Sequence, residues 1–259
     1  VLPAYFFDLL KFTHSITRAM RFKIQSPSSL FLLRAVTLSL IHSITQPLNH
    51  TFAQTPEAAM LRQGLVDVQT LDPTILVELK YATTDNFVKT NVYGTLRKAY
   101  LQPMAAERLV KASTYLRQQQ PELRLLVYDA ARPRSAQWKL WNALKLPEKQ
   151  RKTYVADPRE GSIHNYGCAV DLTLARVRNG RVQPLDMGTP FDFFGERAYP
   201  KAEDKLLKSG QLTAEQVRNR RLLRSVMQRA GYMPIEYEWW HFNAVSRVRA
   251  KGMFRIIKD

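Results

Sequence analysis

The stretch "SIHNYGCAVDLTLARVRNG", residues 162–180, constrains the fold more than any other. From Cys168 to Val177 apolar and polar side chains alternate, which is the period of a strand. Asn179-Gly180 then supplies the two residues of a tight hairpin turn, and "RVQPLDM" runs back. Such a hairpin commits the chain to an antiparallel pair. Ahead of the strand, His164 stands in a polar loop, and Asp171 interrupts the strand itself. A histidine and an acid seven residues apart, at a loop exit and on a strand, suit two halves of a metal site. Whether they are so used depends on what the rest of the chain supplies.

The remaining pattern alternates short elements. "ILVELKYATTDNF" (75–87) reads as a strand entering a polar loop, and "MAAERLVKASTYLRQQQ" (104–120) as a helix stopped by Pro121. "LRLLVYDA" (123–130) is a short apolar strand and "RSAQWKLWNAL" (134–144) a helix. Thr213 and Gln216 form a capping box for a helix through "AEQVRNRRLLRSVMQRA", closed by Gly231. "IEYEWWHFNAV" (235–245) reads as a last strand. The expected fold class is α+β: a largely antiparallel sheet with flanking helices and a zinc site at the sheet. There is no internal repeat and no glycine-rich phosphate loop.

Residues 1–53 differ in character. From Met20 the chain shows a basic start (Arg21, Lys23), an apolar stretch and a small-residue exit at Thr51-Phe-Ala53, the layout of a secretory leader. Arg34 makes the apolar stretch unsuited to a membrane span. The expected division is a leader over 1–53 and a catalytic domain over 54–259. The protein is then exported, to the periplasm, or cytoplasmic if the segment does not act as a signal, with no stable membrane insertion after its removal. The leader carries five Lys/Arg and one Asp, so +13 of the net +17 belongs to residues 54–259. No basic and aromatic residues cluster as base stacking requires, so the charge reads as a solvated surface and no nucleic-acid partner is expected. The single cysteine, Cys168, excludes an internal disulfide and a cysteine-rich zinc knuckle, and its apolar strand suggests burial.

A catalytic zinc needs three protein ligands and an open position. The last strand offers Glu236, Glu238 and His241, and His241 would complete a His164, Asp171, His241 set. Glu238 precedes His241 by three, so on a flat strand the two would point to opposite faces. A bulge or a turn would bring both to the site, with Glu238 placed to take a proton from the attacking water. Arg132, at the exit of an apolar strand before Pro133, is the cation suited to a developing oxyanion, with Arg134 as its competitor.

"SIHNYGCAVDLTL" resembles the S-x-H-x-x-G-x-A-x-D-L-T signature of D-alanyl-D-alanine dipeptidases, and "YEWWHF" resembles their E-W-W-H. "KYATTDNF", "ARPRSA", "FDFFGER" and "NRRLLRSVMQRAGY" match further blocks in the same order, covering about residues 65–243. The resemblance implies one Zn2+ per subunit on His164, Asp171 and His241, Glu238 as acid/base, and Arg132 holding the tetrahedral intermediate. It also implies that Ser162 and Asp192 bind the amino group of a small D-dipeptide, with Tyr81 in the same pocket. The implied reaction is hydrolysis of D-Ala-D-Ala to two D-alanines. Two rivals share the ligand set: a D,D-carboxypeptidase or endopeptidase of cell-wall peptides, and a zinc-containing binding module without catalysis. An acid for a free amine speaks against the first, and Glu238 with Arg132 against the second.

Overall fold

The computed structural model describes residues 55–152 and 154–258. The expected leader lies outside them. Among the described residues no helix is long and apolar enough to cross a membrane.

Among the described residues there are eight strands: β1 (Val66–Asp67), β2 (Leu76–Val77), β3 (Tyr100–Leu101), β4 (Leu123–Asp129), β5 (Ala169–Arg178), β6 (Arg181–Pro184), β7 (Met233–Pro234) and β8 (His241–Asn243). β1 and β3 form a small antiparallel pair. The main sheet runs β2-β4-β5-β8-β7, with β6 paired to the distal half of β5. It is mixed rather than purely antiparallel, because β2 lies parallel to β4. The reason is the connection: a crossover that includes a helix can return a strand in the same direction, which a tight turn cannot.

The three longest helices among the described residues flank the sheet: α1 (Pro103–Gln119), α2 (Arg134–Ala143) and α3 (Ala214–Arg229). α1 opens on proline and buries Ala105, Ala106, Leu109, Ala112 and Leu116, a single apolar face at helical spacing. Each of its fully buried leucines contributes roughly 1.5–3 kcal/mol. The Thr213/Gln216 capping box starts α3, and Gly231, at φ +91°, follows its end. The Asn179-Gly180 hairpin forms as the sequence suggests, with both residues at positive φ between β5 and β6.

β5 is the central strand. Ala169 to Ala175 are buried on both faces, because β4 covers one edge, β8 and β6 the other, and side chains pack above and below. Two expected strands shrink. The stretch 75–87 keeps only Leu76–Val77 in the sheet, then coils into a short 3₁₀ turn at Lys80–Ala82. There the Asn86 amide donates to the carbonyls of Lys80, Thr83 and Thr90, replacing ladder bonds with turn bonds. The stretch 235–245 is strand only at His241–Asn243. Trp239 N–H instead donates to Ala198 O, drawing the preceding residues onto a neighbouring loop.

Candidate active site

The strand register sets the first part of the site. Asp129 on β4, Asp171 on β5 and His241 on β8 are direct cross-strand partners. Directly paired residues project to the same face, so the three form a row across the sheet. β4 shifts register between Val127 and Asp129, at the end of that row.

His164 arrives from a 3₁₀ turn, Ile163–Tyr166. Ser162 Oγ accepts from His164 N–H at 3.2 Å, and Asn165 Oδ1 accepts from Ser162 N–H at 2.7 Å, a reciprocal cap. Gly167 ends the turn at φ +67°, and a Cβ there would lie 2.7 Å from Leu65 Cδ2. That explains the glycine of the quoted motif: it frees the backbone to turn straight from His164 into β5.

The ring of His164 donates from Nδ1 to Ala130 O at 2.8 Å, which leaves Nε2 with its lone pair facing the site. His241 is oriented the other way round, with Nε2 against Asn243 Oδ1 at 2.9 Å and Nδ1 inward. His241 Nδ1 is 2.9 Å from Asp171 Oδ1 and 3.2 Å from His164 Nε2; the third side, His164 Nε2 to Asp171 Oδ1, is 3.3 Å. A tetrahedral ion with bonds of about 2.0 Å has ligand–ligand edges of about 3.3 Å, so the triangle fits one. The three residues are buried at 2%, 4% and 8% exposure. The triangle favours positive charge. Burial works against a cation at His241, yet the Asp171 hydrogen bond and charge lift its pKa to about 9. Burial would raise Asp171, but the two imidazoles hold it well below the usual carboxylate range.

Glu238 lies in the turn before β8, not on it, which removes the opposite-face difficulty: its Oε2 is 3.8 Å from His241 Nδ1. Burial by the cleft walls and the charge of Asp171 push its carboxyl up, against the pull of His241, His164 and Arg132. The side chain keeps 36% of its surface open to the cleft, so that push is softened by solvent.

Arg132 leaves β4 beside His164. Its N–H donates to His164 O at 3.0 Å, and its carbonyl accepts from the Asn165 amide at 2.8 Å. Asp129 Oδ2 takes both Nε (3.1 Å) and Nη2, and the guanidinium sits 5.0 Å from the Tyr81 ring centroid. Burial opposes its charge, but Asp129 holds it firmly protonated. Arg134, the competitor, faces away and donates to Pro158 O.

Asp192 lines the same cavity in a left-handed conformation, φ +61°. Its Oδ1 accepts from Tyr81 O–H at 3.0 Å, while Oδ2 is buried without a hydrogen-bond partner among the described residues. Burial and the Asp171 charge raise its carboxyl well above the usual range. The eight residues expected at the site from the sequence line one cavity of about 160 Å³: Tyr81, Arg132, Ser162, His164, Asp171, Asp192, Glu238 and His241. Glu238 and Trp240 also border a wider outer cavity of about 670 Å³. Cys168 is fully buried, its thiol pushed up to about 12 by burial, and takes no part.

Sequence reasoning missed Asp129, Asn165 and Gln137. Asp129 carried a signal, since an acid at the end of the apolar run "LRLLVYD" has to find a partner. Asn165 carried another, as the fourth residue of a Ser-x-x-Asn cap.

A buried His/Asp/His triangle with one side open, a carboxylate at that side and a clamped guanidinium beside it is the layout of a metallopeptidase-type pocket. A family model described as D-ala-D-ala dipeptidase, peptidase family M15, matches residues 61–259, and the chain belongs to that family. It is 38% identical over 178 residues to a D-alanyl-D-alanine dipeptidase of Escherichia coli K12, covering 69% of this chain and 83% of that one. A protein of the same name from Enterococcus faecium is 32% identical over 182 residues, 64% of this chain and 83% of the relative.

Proposed function

We propose that the protein hydrolyses D-Ala-D-Ala to two D-alanines with one zinc ion on His164, Asp171 and His241. The observation that carries the reading is Asp192 Oδ2, a buried carboxyl oxygen on the cavity wall without a partner among the described residues. Such an atom is costly to leave unpaired, and the ammonium of a free dipeptide would satisfy it. Tyr81 fixes the carboxylate through Oδ1, and Ser162 Oγ has a remaining lone pair for the same ammonium.

When bound, zinc would supply polarisation of the scissile carbonyl and acidification of water. The protein's own groups do the rest. Glu238, its pKa raised, accepts the proton of the attacking water and passes it to the departing amine. Arg132 donates to the oxygen on which negative charge develops. The segment from Met20 to Ala53, with its basic start and apolar stretch, supports export to the periplasm.

The test is D-alanine release from D-Ala-D-Ala, beside N-acetyl-D-Ala-D-Ala, by the zinc-loaded protein. Cleavage of the free dipeptide alone is expected. Cleavage of the blocked peptide would move the protein to the carboxypeptidase class and remove the amine-binding role from Asp192. Inertness toward both, with zinc bound, would leave a binding module.

A further inference from the structure

The grip on Arg132 is asymmetric. Asp129 does not meet the guanidinium with both oxygens, as a carboxylate ordinarily can. Its Oδ1 is occupied by Tyr93 O–H and by Ala130 N–H, so Nε and Nη2 converge on Oδ2 alone. Two bonds to a single oxygen hold the guanidinium about one point, a pivot, with the Tyr81 ring against its face. A second directional bond fixes the orientation about that point.

Gln137 is that second point. It stands on the first turn of α2 and is fully buried. Its Oε1 accepts from Arg132 Nη1 at 2.9 Å, and its Nε2 donates to Ala156 O at 2.8 Å. The amide is thereby held at both ends. Ala156 belongs, with Tyr154 and Val155, to the wall that borders both the inner and the outer cavity. Three of the five guanidinium N–H groups are engaged by Asp129 and Gln137, leaving one on each terminal nitrogen for the cavity.

We propose that Gln137 is a positioning residue: it locks the Arg132 guanidinium against rotation about its Asp129 pivot and ties that orientation to the wall at Ala156. The catalytic part of this inference rests on the proposed role of Arg132; the geometric part does not. The bond Gln137 makes to Ala156 means that a displacement of the wall is felt at the nitrogen that holds the developing charge.

The experiment compares the zinc-loaded parent with Gln137→Leu and with Gln137→Met, whose unbranched side chain fills the same space and serves if the leucine variant does not fold. Misplacing the donor is expected to lower kcat for D-Ala-D-Ala by about 10- to 100-fold. KM should stay within about threefold, since the interaction is made in the transition state. Zinc content should be unchanged. In an Arg132→Lys background, which lacks the fork, the second substitution should cost under about twofold. Crystal structures of the variants should show the guanidinium displaced. Parental kcat in a folded variant, an equal loss in both backgrounds, or an unmoved Arg132 each overturns the proposal. A parent inert toward D-Ala-D-Ala sinks the proposed function instead, and the position of Arg132 in the variant crystals then decides the inference alone.

Discussion

The two ends of the small cavity are held by different kinds of structure. At the metal end, Asp171 and His241 are cross-strand partners, and the row extends to Asp129 on the next strand. Ladder hydrogen bonds position these side chains, and each polar atom that faces inward has a neighbour. At the other end, the proposed amine site, Asp192 sits in a loop at positive φ with one oxygen unpartnered among the described residues, and Glu238 sits in a turn. One end is therefore paired within the protein, and the other leaves a carboxyl oxygen without a partner among the described residues. A ladder suits a site whose donors must hold a fixed distance. A loop suits one where a charge is to be met by substrate.

The largest effects should separate the metal from the chemistry. Asp171→Ala is expected to abolish zinc retention and turnover together, measured by metal content and D-alanine release. Glu238→Gln should keep zinc and lose about 10²- to 10⁴-fold in kcat. Zinc loss in the glutamine variant would blur the distinction between the two ends.

Next is the cost of the waiting charge. Asp192→Asn suits the left-handed backbone and removes the ammonium's counter-charge, so KM should rise about 10- to 100-fold. Because the folded protein holds the Asp192 carboxyl above its usual range, ionising it works against folding. The stability tied to its protonated form is present at acid pH and lost as pH rises through the folded pKa. The asparagine variant should therefore melt no lower than the parent at neutral pH while binding substrate less well. In the parent, KM should climb as pH falls into the range where Asp192 takes up its proton, and the variant should lack that limb. A lower melting temperature without a KM change would make Asp192 a turn residue only.

The smallest effect tests the metal end's rigidity. Gly167→Ala introduces a Cβ against Leu65 in a left-handed position, for a loss of about 1–3 kcal/mol in denaturant unfolding. Zinc affinity should fall with it, because the turn carries His164. Unaltered stability would show that β5 can be entered another way.

Much of this was legible in advance because it is local. The Asn179-Gly180 hairpin, the Thr213/Gln216 cap and the apolar face of α1 each depend on a few neighbouring residues, and each formed as read. The cavity residues were legible too, since polar side chains at strand ends and loop exits, in blocks matching a known family, mark where a site can gather. The direction of β2 was not, nor the shrinking of 235–245 to a three-residue strand. Those outcomes depend on which sheet edge is free and which loop competes for the backbone.

The sequence by itself determined the β5–β6 hairpin, the capped and amphipathic helices, and several of the side chains that could meet at the site. Only the tertiary structure decided that Glu238 turns toward His241, that Asp192 keeps an oxygen free, and that Asp129 and Gln137 grip Arg132 from two sides. The reason is range. Periodicity and caps set repeating backbone patterns, whereas these partners, though three to five residues apart, meet only in irregular chain whose direction is settled once the sheet has set its register.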